Sequence, residues 1–517
     1  MLAGLAAIVL LAFALRLVIG LLTPLDADES VEGIVALRIL HGHLVLMESN
    51  ARYLGALDSY LLAPFVAVFG PTLLAIRIAL SVVGAGYVAG TFALGRRLFG
   101  NDRDGLLLAG IAAVFPLFAL SYGIKARTYG VLLLLGVICV LLGVRLGWST
   151  RPRTWWAWAG FGLVAGLSVW HDVLLVIPLA ALALGFLLRG QAIGWPVLIR
   201  GSAIAIAAAL VGFSPWLIYN AQTRLGSLRH LYTPLTTYSV PTSQAAKQVL
   251  SAALPIFVGA RVNFCGPSAV PSSVVDAGLG LLAVAVLWLR RESLGSVFRG
   301  HFSRLEAADV VLLIAPLSLI AVTVHWFNGL SCEPRYLMPL SIPLVLALAL
   351  TIRAPLPFRI AGLLGLAGCL VMSIATVQTS HTLFNNLVQV PGAPPARLDL
   401  PAAVAALQRQ SPQAIWAQYW LARPVEYLSG DRLLVGEYGG YVGFPDTQSA
   451  ALAAAHPGWL FVDGDPTIAA FRAACSSRGI TYRQTAPGAG LVFFADLSQR
   501  LTPSDLGLQT QTVAQAA

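Results

Sequence analysis

Apolar residues run through this chain in blocks too long and too unbroken for a soluble core. Such runs occupy residues 2–22, 73–94, 106–120, 129–144, 155–170, 173–188, 203–219, 274–289, 310–326, 336–352 and 360–377. A helix needs about 20 apolar residues to cross the hydrocarbon of a bilayer, and several of these cores are shorter, so their ends must extend into the flanking sequence. The pattern predicts about eleven membrane-spanning helices, since a backbone without water must satisfy its own hydrogen bonds. Residues 249–260 are too short to span and contain Pro255, which predicts an interfacial or re-entrant piece. The run at 2–22 lacks a basic leader and an Ala-x-Ala cleavage site and reads as a retained helix.

The connections set the orientation. Arginines gather in alternate ones: Arg96, Arg97 and Arg103; Arg145, Arg151 and Arg153; Arg189 and Arg200; Arg290, Arg291, Arg299 and Arg304; Arg353 and Arg359. Basic connections stay on the cytoplasmic side, so the N-terminus is expected in the cytoplasm and the C-terminus outside, in the periplasm if the membrane is a bacterial inner membrane. The outer side then holds a long loop at 23–71, a short one at 121–128 and another long one at 220–271. It also holds everything after about residue 378, where the pattern changes period. Residues 414–420, 433–435 and 459–462 read as short strands, with helical stretches at 401–408 and 467–475. Strands alternating with helices predict a small α/β domain over 379–501, after a membrane domain over 1–378 and before a disordered tail at 502–517.

Composition agrees. Of 517 residues, 57% are hydrophobic and only 11% charged, against about 25% charged in an average soluble domain. The net charge of +10 comes from basic residues scattered between apolar runs, which excludes a nucleic-acid-binding surface and fits a membrane topology signal. Five cysteines make no disulfide framework. Cys139 and Cys369 fall inside apolar runs, while Cys265 and Cys332 fall in two outer loops, where a disulfide and two free thiols are both open. No internal repeat is visible, which counts against transporters built from repeated halves.

Chemistry-bearing residues collect at outer helix ends. Asp26, Asp28, Glu29 and Glu32 lie within seven residues just past the first run. The following stretch carries Val31, Ile34 and Val35 at helical spacing, as for a helix lying on the bilayer surface. This puts carboxylates at headgroup depth, though a solvated acidic turn capping the next helix reads the same way. Lys125, Arg127 and Tyr129 occupy the short outer connection, where two cations serve equally as a phosphate site or as headgroup anchors. His171-Asp172 forms a tight outer turn, either a base or metal ligand or a structural polar turn. Arg335-Tyr336 opens a late helix, Arg77 stands at the outer end of the second run, and Arg16 lies within the first. Helix middles are otherwise almost free of charge. An ion-coupled transporter needs ionisable groups there, whereas an enzyme of the outer leaflet does not. A lipid or polysaccharide transporter or flippase is the rival reading.

In order along the chain, these motifs resemble a GT-C-fold glycosyltransferase, in the group of the protein O-mannosyltransferases and the aminoarabinose transferase of lipid A. Asp28-Glu29, then Ile34, Ala36-Leu-Arg38 and His41-Gly42, resemble the family's first-loop motif and the helix after it. Tyr53-Leu-Gly-Ala-Leu and Ala75-Ile-Arg77 resemble the second half of that loop and the next span. Lys125-Ala-Arg127-Thr-Tyr129, Gly166 through His171, and Arg335-Tyr336 with Pro339 resemble later family elements. Asp172 and Asp58 depart from the pattern.

The resemblance implies an α-helical polytopic GT-C fold with an extracytoplasmic α/β domain. It also implies inverting sugar transfer from a polyprenyl-phosphate donor to a protein, lipid or glycan acceptor at the outer leaflet. Asp28 is then expected as general base and Glu29 as its partner. Arg77, Lys125, Arg127 and Arg335 are expected to bind the donor phosphate, and Tyr53, Tyr129, His171, Asp172 and Tyr336 to line the substrate. Some relatives use a divalent cation, for which Asp28, Glu29 and His171 are the candidate ligands.

Overall fold

A computed structural model describes residues 1–49, 51–149, 154–229, 240–261, 270–324, 334–379, 388, 390–439 and 442–509. Among them, seven helices are long and apolar enough to cross a membrane: Leu2–Leu21, Leu73–Phe99, Tyr129–Gly147, Trp195–Gly212, Ser272–Leu289, Pro334–Arg353 and the helix opening at Leu356. Leu57–Phe69, Val173–Leu188 and Ala307–Thr323 are shorter apolar helices. The chain is a multi-pass membrane protein. Two expected single spans are divided. The run at 106–120 becomes Asp102–Val114 and Leu117–Tyr122, parted at Pro116, whose ring cannot continue the ladder. The run at 203–219 becomes Trp195–Gly212 and Ser214–Gln222, with Pro215 in the first turn of the second. Residues 249–260 form two helical turns, Val249–Ala253 and Leu254–Val258.

The described chain forms two compact units. The first comprises Met1–Val18, Arg52–Gly55 and Leu80–Thr379. Tyr129–Gly147 is 78% buried and forms its centre, whereas Ser272–Leu289 is 11% buried and turns apolar side chains outward, as a lipid-facing helix does. Helix Trp155–His171 lies directly on Trp195–Gly212 because Gly162 and Gly166 are small. A Cβ there would come within 2.0 Å of the Ala205 carbonyl oxygen and 1.9 Å of that of Ala209. This is the close small-residue packing by which helices associate in lipid. Arg16, buried within an apolar helix, donates to the carbonyls of Ala12 at 3.2 Å and of Ala112 and Ala113 at 3.3 Å. It caps the C-terminal carbonyls of Asp102–Val114, which explains a charge at that depth.

The second unit comprises Ile19–Ala51, Ala56–Ala79 and Ser380–Ala517. The expected cut at residue 378 therefore leaves out two pieces of the first outer loop, which pack with the C-terminal region. Helices are labelled here α1 (Leu2–Leu21), α2 (Ala27–Leu40), α3 (Leu57–Phe69) and α4 (Leu73–Phe99). Arg38 of α2 pairs with Asp431 at 3.3 Å and Asp446 at 3.2 Å and stacks on Phe444. Tyr427 donates to the Thr72 carbonyl at 3.1 Å, and its ring lies against Gly33, where any Cβ would collide. The apolar residues expected on the bilayer surface, Val31, Ile34 and Val35, are instead buried in protein.

The C-terminal part holds a five-stranded sheet of β1 (Ile415–Gln418), β2 (Val435–Tyr438), β3 (Gly458–Val462), β4 (Arg483–Thr485) and β5 (Leu491–Ala495), ordered β2-β1-β3-β5-β4. Strands β1, β2 and β3 are parallel, while β5 pairs antiparallel with both β3 and β4. Helices Leu400–Gln410 and Tyr419–Leu428 cover one face, and Pro445–Ala453 and Thr467–Arg478 the other. Beneath the first pair, Arg423 is buried between Glu426 and Glu437 and donates to the Val435 carbonyl at 2.9 Å. Residues 502–506 of the expected tail form a capped turn in which Asp505 meets Arg478 at 2.8 Å. Residues 510–517, together with Cys265, Cys332, Arg151 and Arg153, lie outside the described residues.

Candidate active site

The acidic loop becomes the first turn of α2. Asp26 is its N-cap, accepting from the Glu29 amide at 3.1 Å, while Glu29 accepts from the Asp26 amide at 3.4 Å. This reciprocal capping box fixes the backbone that carries Asp28. Glu29 is fully buried and receives a two-pronged ion pair from Arg77 of α4, with Nη2 to Oε2 at 3.1 Å. Arg77 further donates Nε to the Gly20 carbonyl at 2.9 Å and Nη2 to the Thr23 and Pro24 carbonyls at 3.4 Å. Gly20 makes room for it. The guanidinium expected to bind a donor phosphate thus faces Glu29 and three backbone carbonyls.

Asp28, next door, is half-exposed. Its Oδ1 accepts a hydrogen bond of 2.6 Å from the Tyr419 hydroxyl. One turn on, Glu32 is buried and bonded to Ser59 of α3, and Oε1 of Glu32 has no hydrogen-bond partner among the described residues. Burial, then the charge of Asp58, push the Glu32 carboxyl from 4.5 up to about 8; Asp28 adds to this and Ser59 opposes it. Asp58, where the resemblance has an apolar residue, is buried beside Ser59 and shares the Glu32 cluster.

The first unit gathers the other candidates. Thr128 sits at φ +68 as the residue before helix Tyr129–Gly147 and donates its hydroxyl to Asp172 Oδ2 at 3.1 Å. His171 places Nε2 3.0 Å from the Thr128 carbonyl, while its Nδ1 is buried without a hydrogen-bond partner among the described residues. Asp172 Oδ1 accepts from the Leu174 amide at 2.9 Å. Both side chains therefore serve the turn that joins two spans. Tyr129 has Arg335, Tyr336, Asp172 and Arg127 as its electrostatic neighbours, so these expected residues come together. Lys125 instead stands over the Tyr122 ring, 5.3 Å from its centroid. Arg335 lies 5.2 Å from the centroid of Tyr336, and both are half-exposed. Tyr53 is half-buried in the same unit.

Two of the three expected metal ligands are held by other protein groups. Both Glu29 oxygens face Arg77, and His171 Nε2 meets the Thr128 carbonyl. Among the described residues no three His, Cys, Asp or Glu side chains stand close enough to share an ion.

No family model and no curated protein matches the sequence. Solved structures do resemble it. ArnT from Cupriavidus metallidurans, bound to undecaprenyl phosphate, superposes with a TM-score of 0.50 at 14% identity, covering 96% of this chain and 98% of that one. The oligosaccharyltransferase AglB from Archaeoglobus fulgidus, in complex with an inhibitory peptide and a dolichol-phosphate, also gives 0.50, at 13% identity over 95% of this chain and 74% of that one. The chain has the GT-C fold. That fold was expected from the ordered motifs. Two side chains that contact the first-loop carboxylates were not expected there: Tyr419, which read as the end of a strand, and Ser59, which carried no signal of its own.

Proposed function

We propose that this protein is a membrane glycosyltransferase moving a sugar from a polyprenyl-phosphate donor to an acceptor hydroxyl on the extracytoplasmic face of the cell membrane. One observation carries the reading. The adjacent carboxylates of the first loop have divided roles, Glu29 buried on Arg77 and Asp28 half-exposed beside it. A base must reach its substrate, whereas a buried ion pair holds a backbone in place. Lipid phosphates bound to ArnT and AglB support a lipid-linked donor, and the peptide on AglB supports an acceptor of protein type among the alternatives.

In this reading the acceptor oxygen attacks the anomeric carbon while its proton passes to Asp28. The bond from that carbon to the phosphate oxygen breaks, and the polyprenyl phosphate leaves with the bonding pair. Configuration inverts, because one displacement turns the centre over. Charge grows on the leaving phosphate, and Arg127 and Arg335, with Lys125, are assigned to neutralise it. Arg77 is assigned to Glu29 instead, as a holding residue, and no step is routed through a metal. The positive-inside pattern supports a cytoplasmic N-terminus and an outer C-terminal domain, the side on which nucleotide sugars are scarce.

The test is to incubate the purified full chain with synthetic undecaprenyl phosphates carrying different sugars and a membrane extract as acceptor pool. Release of undecaprenyl phosphate from at least one donor, with its sugar recovered on a new molecule, is expected. Intact donors throughout, or movement of a whole lipid across vesicles without cleavage, would contradict it.

A further inference from the structure

The C-terminal α/β domain reaches the proposed base itself. In the parallel part of its sheet, β1 lies between β2 and β3. The chain leaves β1 into helix Tyr419–Leu428 on one face and leaves β3 toward helix Thr467–Arg478 on the other. Neighbouring strands whose connections depart to opposite faces open a crevice at their carboxyl ends, the place where open α/β sheets receive ligands. Tyr419 is the first residue past β1. It is oriented by Gln418, whose Oε1 accepts from the Trp420 amide at 2.6 Å, and its ring packs edge-on against Trp420 with centroids 5.4 Å apart. From there its hydroxyl meets Asp28 Oδ1 at 2.6 Å.

Resting on the reading of Asp28 as the base, we infer that Tyr419 is a positioning residue for that base, so that the C-terminal domain takes part in the chemistry. A hydroxyl bonded to Oδ1 restrains rotation of the carboxylate and so holds the base in one orientation. Tyr427 from the same helix donates elsewhere, to the Thr72 carbonyl.

The experiment compares Tyr419→Phe and Asp28→Asn in the full chain, measuring undecaprenyl phosphate release across donor concentrations, with Tm and elution volume alongside. Phe keeps the ring and its contact with Trp420 and removes only the hydroxyl. Loss of a hydrogen bond to a charged group corresponds to a fall in kcat of about tenfold or more, with KM for the donor little changed. Tm and elution volume are expected to stay those of the unaltered protein, so the loss falls on kcat alone, a split that a purely structural tyrosine would not produce. If D28N is inactive and Y419F keeps the kcat of the unaltered protein, or loses activity only together with Tm, the Tyr419 inference is wrong and the base assignment stands. If D28N is as active as the unaltered protein, both fall together.

Discussion

Glu29 and Arg77 are fully buried, and the pair is held by two-pronged contact on one side and three carbonyls on the other. Glu29→Gln keeps an oxygen for the capping box but leaves the guanidinium as an uncompensated buried charge. Breaking a buried pair from one side costs about 3–5 kcal/mol. For a unit of roughly 200 residues, each kcal/mol lowers Tm by about 2–4 °C, so a fall of about 6–20 °C is expected. Arg77→Met should cost a similar amount, because it strands Glu29. The double variant E29Q/R77M removes both charges and should recover much of the loss, since a buried pair replaced by neutral groups of similar volume is often nearly neutral. Thiol labelling during heating reads this directly: Cys475 is buried in the same unit and reacts only when that unit opens. Additive losses in the double variant, or single variants within 1 °C or so of the unaltered protein, would refute the coupling and with it the account of how Asp28 is held.

Two further predictions concern the flanking structure. Glu32 is raised from 4.5 to about 8, chiefly by burial, so the folded protein holds a proton that the unfolded chain releases. Its contribution is present at low pH and is lost as pH rises through about 8. E32Q should therefore gain in Tm relative to the unaltered protein between pH 6 and 9, and parallel curves would exclude the effect. Gly166→Leu should abolish monodisperse folded protein in size-exclusion chromatography, because the obstacle is the Ala209 backbone, while Gly160→Leu, which meets nothing within 4 Å, should be tolerated.

Much of this was legible in the sequence, for physical reasons that also mark where legibility stops. Long apolar runs announce spans because lipid enforces them, and the ordered outer motifs carried the GT-C fold. Strands β1 and β3 were visible as short apolar runs between turn residues. Strands β4 and β5 were missed, since β4 is three polar residues supported only by its neighbour. Tyr419 read as strand because its apolar neighbours continue β1; the Gln418 side chain turns the chain into a helix there, which periodicity does not encode. The Glu29–Arg77 pair spans 48 positions and Asp28–Tyr419 spans 391. Contacts so distant leave no local pattern, so α2 read as a helix lying on lipid when its apolar face is buried in protein.

The central claim is that Asp28 takes the acceptor proton. Asp28→Asn is the direct measurement, because the amide oxygen still accepts from Tyr419 while the base is gone. The purified variant should match the unaltered protein in Tm and in elution volume. Its transfer rate from the preferred polyprenyl-phosphate sugar should fall by about 10²–10⁴. A folded D28N protein that transfers sugar at the unaltered rate would contradict the account.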